Sequence, residues 1–139
     1  MPCLSGKFNP GGGPIIQVGI QRPQLESEVG PSQQKIEYFN TLIDTGATVT
    51  CISSIAVRTL NLNSIGLREM VSATDTSPVN VYLTNLIIPF NSEMVVFPNT
   101  QVLEFAIGIN SPFQLLLGRD VLCKGTFTLS FDGHFTFSL

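Results

Sequence analysis

The sequence predicts a mostly-β fold with one or two short helices, and three observations predict it. Short segments rich in Val, Ile, Leu, Thr and Phe follow one another from residue 15 onwards, separated by Gly, Pro or Asn. An Asp-Gly pair near the C-terminus lies between two segments of alternating apolar and polar residues, as in a β-hairpin. Only two short segments offer a helix start. Many short strands with regular breakers are typical of an all-β domain.

Length, charge and hydropathy narrow the class of protein. The chain has 139 residues, of which 43% are hydrophobic and 12% charged, and this fits one folded domain. Its seven Lys and Arg are scattered and the net charge is −3, which argues against nucleic acid as a partner. No apolar stretch is long enough to span a membrane, and the first residues lack a secretory signal. We therefore expect a cytoplasmic protein whose three cysteines are free thiols.

The first elements can be placed from local patterns. Residues 1–13 end in three glycines and are expected to form a flexible tail, which leaves a domain over residues 14–139. Strands are predicted over residues 15–20 and 36–43, with a polar loop over 21–34 between them. Further strands are predicted near residues 67–74, 79–88, 101–107 and 113–117.

The helices and the last hairpin complete the series. Ser53 or Ser54 is expected to cap a helix over residues 55–60, and residues 118–122 form a second helical turn. In the C-terminal hairpin, Phe and Leu alternate with Thr and Ser on both sides of Asp132-Gly133. This pattern predicts a two-residue turn and one strongly aromatic face, which includes Phe131.

One segment departs from a generic β-domain. Asp44 follows two bulky apolar residues of a predicted buried strand and precedes Thr45 and Gly46. A carboxylate at this place is costly unless it is hydrogen-bonded or paired, and Gly46 allows the backbone to turn sharply. Asp-Thr-Gly alone is a weak signal. However, residues 115–122 again run from an apolar strand through a glycine into a helical turn.

Together the two segments resemble the retropepsin-like aspartic proteases, the single-domain relatives of pepsin. The catalytic loop of that family is similar to Leu42-Ile43-Asp44-Thr45-Gly46-Ala47. Its second apolar-apolar-Gly element, with the start of the following helix, is similar to Leu116-Leu117-Gly118-Arg119-Asp120. The resemblance spans residues 14–139. It implies a closed, barrel-like fold, a homodimer, a polypeptide substrate, and neither metal nor cofactor.

The resemblance also assigns roles to residues. Asp44 would be the catalytic carboxylate, Thr45 and Gly46 would support the loop, and Thr45 would hydrogen-bond across the dimer axis. The hairpin over residues 70–82 would be the flap. Residues expected to contact the substrate are Ala47, Thr48, Ala73, Thr74, Asp75, Thr76, Phe113, Gln114 and Leu116. The structural residues of the second motif are Gly118, Arg119 and Asp120.

The chain departs from the family in two places. Viral relatives often carry an acidic residue after Asp-Thr-Gly-Ala that pairs with the Arg of the second motif. Thr48 stands at that position here, so the sequence leaves the partner of Arg119 open. The predicted flap tip also lacks the glycines of the viral enzymes and contains Asp75 among Thr and Ser residues.

The leading function implied is an aspartic endopeptidase that uses Asp44 and its symmetry mate. The alternative is a non-catalytic peptide-binding or dimerisation module on the same fold. Asp120 is expected to accept backbone N–H bonds at a helix start, although a catalytic role for it is the competing interpretation. Cys51 is interpreted as a buried packing thiol, with a redox switch as the alternative. The single histidine, His134, and the dispersed cysteines do not form a zinc pattern.

Overall fold

A computed structural model describes residues 1–24, 35–71 and 73–139, so most of the predicted loop over 21–34 lies outside the described residues. The described part of the chain is mostly β-structure with two short helices, as predicted. The strands are β1 (Cys3–Lys7), β2 (Ile15–Gln21), β3 (Ile36–Ile43), β4 (Cys51–Ser53), β5 (Gly66–Val71), β6 (Thr76–Pro89), β7 (Met94–Phe105), β8 (Leu115–Leu117), β9 (Thr126–Leu129) and β10 (His134–Ser138). The helices are α1 (Ser54–Leu60) and α2 (Arg119–Leu122).

The main sheet closes into a barrel. Its seven strands lie in the order β2-β3-β8-β4-β7-β6-β5, and β2 also pairs with β6. Six of the strands therefore form a ring, and β5 extends from it as half of a hairpin with β6. Closure removes the open edges of these six strands. The barrel interior holds almost completely buried apolar side chains, among them Val18, Ile20, Ile52, Leu86, Val102 and Leu117.

A second sheet has the strand order β1-β10-β9 and includes N-terminal residues of the chain. Leu4 lies opposite Phe137, which is fully buried and contacts the ring of Phe90 at a centroid distance of 5.7 Å. The expectation of a flexible tail over residues 1–13 is therefore corrected, because residues 3–7 are a paired strand. The partner strand lies at the far end of the chain, and so no local pattern revealed it.

The C-terminal hairpin has a longer turn than predicted. The Ser130 amide donates to the His134 carbonyl at 2.9 Å, which leaves a three-residue turn over 131–133. Gly133 occupies its positive-φ position, with φ of 84°, as is usual at the last position of such turns. The prediction of a two-residue turn is wrong, and Phe131 is fully exposed rather than part of the aromatic face.

Helix α1 begins as the sequence predicts. The Ser53 hydroxyl accepts the Ala56 amide at 3.0 Å, which satisfies one of the free N–H groups of the first turn. The helix lies directly after β4 and buries Ala56 and Val57. Among the described residues, no helix is long and apolar enough to cross a membrane.

Candidate active site

Asp44 lies where β3 ends, beside the end of β8. The two strands are parallel, with Ile43 opposite Leu117, and the Asp44 amide donates to the Leu117 carbonyl at 3.0 Å. The Asp44 carboxylate accepts the Gly46 amide at 2.9 Å, and the Asp44 carbonyl accepts the Ala47 amide at 3.2 Å. These bonds close a tight loop in which Asp44 is half-buried and Thr45 and Gly46 are exposed.

The second motif packs directly against the backbone that follows this loop. A Cβ atom on Gly118 would lie 2.7 Å from the Val49 carbonyl carbon and 2.9 Å from the Thr50 amide nitrogen. Such distances exclude any side chain, so the close approach of the two segments requires glycine. The Gly118 amide also donates to the Thr50 hydroxyl at 3.1 Å.

The Asp120 carboxylate accepts hydrogen bonds from Thr50 and Val121. Both of its carboxylate oxygens lie 3.1 Å from the Thr50 amide, and one accepts the Thr50 hydroxyl at 2.7 Å. The Val121 amide donates to the same oxygen at 3.0 Å. The expected backbone N–H bonds are thus present, and these contacts favour a framework role for Asp120 over a catalytic one.

Arg119 has a neutral partner. Its Nη2 atom donates to the Thr48 hydroxyl at 3.0 Å, and its amide donates to the Ala47 carbonyl at 2.9 Å. Thr48 stands where viral relatives often carry an acidic residue. It also contacts Arg119, through its hydroxyl oxygen. Both residues are exposed, so the contact lies at the surface of the Asp44 loop.

An apolar cluster connects the segment after the Asp44 loop, the second motif and the hairpin of β5 and β6. Its buried members are Cys51, Val81 and Leu103, and the half-buried ones are Val49, Met70, Val79, Phe105 and Leu116. Sequence reasoning assigned only Leu116 of this set to the site. Two further members, Val79 and Val81, alternate with polar residues along β6, and this alternation could have identified them.

Cys51 occupies the inner part of that cluster. Burial, and then the nearby charges of Asp120 and Asp44, raise the pKa of the Cys51 thiol to about 11. The thiol therefore remains protonated at neutral pH, and it donates to the Val49 carbonyl at 3.4 Å. Among the described residues, no group of three or more His, Cys, Asp or Glu is placed to hold a metal ion.

The other predicted contact residues lie in two places. The hairpin of β5 and β6 carries Ala73, Thr74, Asp75 and Thr76 at its exposed tip, where the Thr76 amide donates to the Asp75 carboxylate at 2.7 Å. Phe113 is half-buried in the loop before β8. The Gln114 side chain accepts the Ser53 hydroxyl at 2.6 Å, so it is tied to the start of α1.

Comparisons with known proteins agree with this architecture. The sequence profile of the family described as retroviral aspartyl protease matches residues 14–130. The crystal structure of a retropepsin-like aspartic protease from Rickettsia conorii is similar, with a TM-score of 0.62 and 15% sequence identity, over 97% of this chain and 89% of that chain. That likeness confirms the predicted retropepsin-like fold. No curated protein sequence gives a significant match. Because the family profile covers most of its length, this chain belongs to the retroviral aspartyl protease family.

Proposed function

We propose that the chain is an aspartic endopeptidase that cleaves extended polypeptides as a homodimer. The observation that carries the proposal is the geometry of Asp44. The residue is half-buried, its carboxylate accepts the Gly46 amide at 2.9 Å, and its loop is held by the second motif. A loop-capping aspartate would need only the bond to Gly46, whereas this loop is also fixed from β8 through the Leu117 carbonyl.

The chemistry requires a second carboxylate, and a second copy of the chain is the natural source. Asp120 is already engaged by Thr50 and Val121. Two Asp44 carboxylates facing each other across a two-fold axis cannot both be ionised, so the pair holds one proton. We assign the ionised Asp44 as the base and the protonated one as the hydrogen-bond donor.

Peptide hydrolysis then follows in two steps. The ionised carboxylate takes a proton from a water molecule, whose oxygen attacks the scissile carbonyl carbon. The protonated carboxylate donates a hydrogen bond to the oxygen that becomes negative. Transfer of a proton to the peptide nitrogen breaks the C–N bond and releases the amine, and the two carboxylates again share one proton.

The substrate would lie as an extended strand between the hairpin tip and the catalytic loop. Ala47 and Thr48 are assigned to its backbone on the loop side, and residues 73–76 to the opposite side. Leu116 and the apolar cluster around it would receive substrate side chains. Phe113 and Gln114 are assigned to the edge of this binding site.

The alternative is a non-catalytic peptide-binding or dimerisation module on the same fold. A binding module needs no carboxylate in this loop, so Asp44 favours the enzyme. The test is cleavage of a diverse peptide library between about pH 4 and pH 7 by the wild type and by Asp44→Asn, which preserves the shape but removes the base. We expect cleavage only by the wild type, with both proteins folded. Equal peptide binding by both proteins with no cleavage by either would establish the binding module instead.

A further inference from the structure

One face of the hairpin of β5 and β6 carries part of the apolar cluster and also a positive charge. Residues directly opposite each other in an antiparallel pair have their side chains on the same face of the sheet. Arg68 lies opposite Val79, and Met70 lies opposite Ser77. Met70 and Val79 both belong to the cluster that contains Leu116. Arg68 therefore lies on the face of the hairpin that is turned towards the proposed substrate site.

The Arg68 guanidinium has no counter-charge on this face. Within the described residues it forms neither an ion pair nor a side-chain hydrogen bond, and the residue is exposed. The next residue of β5, Glu69, lies opposite Pro78. Since successive side chains of a strand alternate between its two faces, the Glu69 carboxylate points away from the cluster.

Two further carboxylates near the cluster are bonded to other groups. Glu104 lies between two cluster residues of β7 and so belongs to the other face, where its carboxylate accepts the Asn80 side-chain amide at 3.0 Å. The Asp120 carboxylate accepts the amide and the hydroxyl of Thr50. Neither carboxylate is placed to balance the charge of Arg68.

We propose that Arg68 selects substrates with an acidic side chain, which it binds beside the apolar cluster. The inference rests on the proposed function, because it assigns a preference to the same substrate site. Every second side chain of an extended peptide points to the same side, at intervals of about 6.6 Å. Met70 and Arg68 have the same spacing on one face of β5. A peptide that follows β5 with an apolar side chain on Met70 therefore brings the side chain two positions along to Arg68.

A carboxylate suits this position because of the shape and the charge of the guanidinium. The N–H groups of arginine form a planar fork that matches the two oxygens of Asp or Glu. A glutamine side chain has a similar size but no charge, and a lysine side chain would face a like charge. We therefore expect the order Glu, Gln, Lys at this substrate position, with about a fivefold difference between Glu and Gln.

Substituted peptides test the preference and its position. A peptide that the wild type cleaves, taken from the diverse library, is synthesised with Glu, Gln or Lys at each position in turn. We expect kcat/KM to be about fivefold higher for Glu than for Gln at one position, two residues from a position that requires an apolar side chain. Because Arg68 does not touch the reacting atoms, the difference should lie in KM and not in kcat. It should also shrink in molar salt.

Two variants separate Arg68 from a general effect of charge. Arg68→Glu should reverse the order, so that Lys is preferred over Glu at the same substrate position. Arg58→Glu makes the same change of charge on α1, whose buried residues belong to the barrel core and not to the apolar cluster. This control should keep the preference of the wild type. Equal cleavage of the Glu and Gln peptides by the wild type, or an unchanged order in Arg68→Glu, would overturn the proposal.

Peptide binding keeps this test separate from the proposed function. Asp44→Asn should bind the Glu peptide about fivefold more tightly than the Gln peptide without cleaving either, as measured by fluorescence anisotropy of labelled peptides. Cleavage by the wild type with no preference for an acidic side chain would overturn only the role of Arg68. An acidic preference in binding, with no cleavage by the wild type, would refute the proposed peptidase and support the role of Arg68.

Discussion

The carboxylate of Asp120 holds Thr50 by its amide at 3.1 Å and by its hydroxyl at 2.7 Å, across 70 residues of sequence. This contact fastens the second motif to the segment that follows the catalytic loop. Asp120→Ala and Thr50→Val should each lower the free energy of unfolding by roughly 1–3 kcal/mol, since each leaves a partly buried polar group without its partner. In urea denaturation, the double variant should lose clearly less than the sum of the two. Additive losses would mean that the two side chains do not act as a pair.

Thr45 is expected to matter for the dimer and not for the isolated chain. It is exposed in the single chain, so we expect its substitution to change the stability of the isolated chain little. Thr45→Val should weaken dimerisation by roughly 1–3 kcal/mol for each chain, because it removes the hydroxyl that we propose to bond across the axis. Thr45→Ser keeps the hydroxyl and serves as the matched control. Sedimentation equilibrium compares the two, and equal dissociation constants would refute the role given to Thr45.

Activity should depend on protein concentration. If two chains build one site, cleavage per chain must fall on dilution as the dimer dissociates. Peptide cleavage and sedimentation measured over the same concentration range should give the same midpoint. A monomer with full activity would contradict the shared site and would require a second carboxylate within one chain.

Thr48→Asp should strengthen the contact with Arg119. The present bond joins Nη2 of Arg119 to a neutral hydroxyl at 3.0 Å, and a carboxylate at this position would form an ion pair. Because both side chains are exposed, the gain in unfolding free energy should be at most about 1 kcal/mol and should vanish in high salt. Thr48→Asn, which has similar size but no charge, is the control. A gain that persists in molar salt would have a different origin.

Cys51 should make stability fall at alkaline pH. Burial raises its pKa from 9.0 to about 11, so the folded state keeps its thiol proton at pH values where the unfolded chain loses it. The contribution of this thiol to stability is complete below about pH 9 and is lost as the pH rises towards 11. Over this pH range, the free energy of unfolding should therefore fall more for the wild type than for Cys51→Ala. Parallel stability curves for the two proteins would show that the thiol titrates normally.

Local patterns predicted the features that depend on neighbouring residues. The apolar pair before Asp44 indicated a buried strand that ends at the carboxylate, and Ser53 marked the start of α1. The pairing of β1 with β10 was missed because its partners come from opposite ends of the chain. The turn before His134 was misjudged because the same Asp-Gly pair fits turns of two or three residues.

Local sequence patterns also could not predict which residues surround the site. Nothing near Arg119 in the sequence points to Thr48, which lies 71 residues away and meets it only in the folded barrel. The same holds for the apolar cluster around Cys51, whose members come from five separate segments. The motifs predicted the tight loop at Asp44, whereas the strand order determined what surrounds it.

The parallel pairing of β3 with β8 has a consequence for synthesis on the ribosome. Asp44 is made early, but the Leu117 carbonyl and the residues of the second motif that hold its loop are made much later. Contacts between distant segments form only after the intervening chain is available. A nascent chain that has not yet exposed residues 115–120 carries the Asp-Thr-Gly tripeptide in an unformed loop. We therefore expect the proposed proteolytic site to form only after the second motif has left the ribosome.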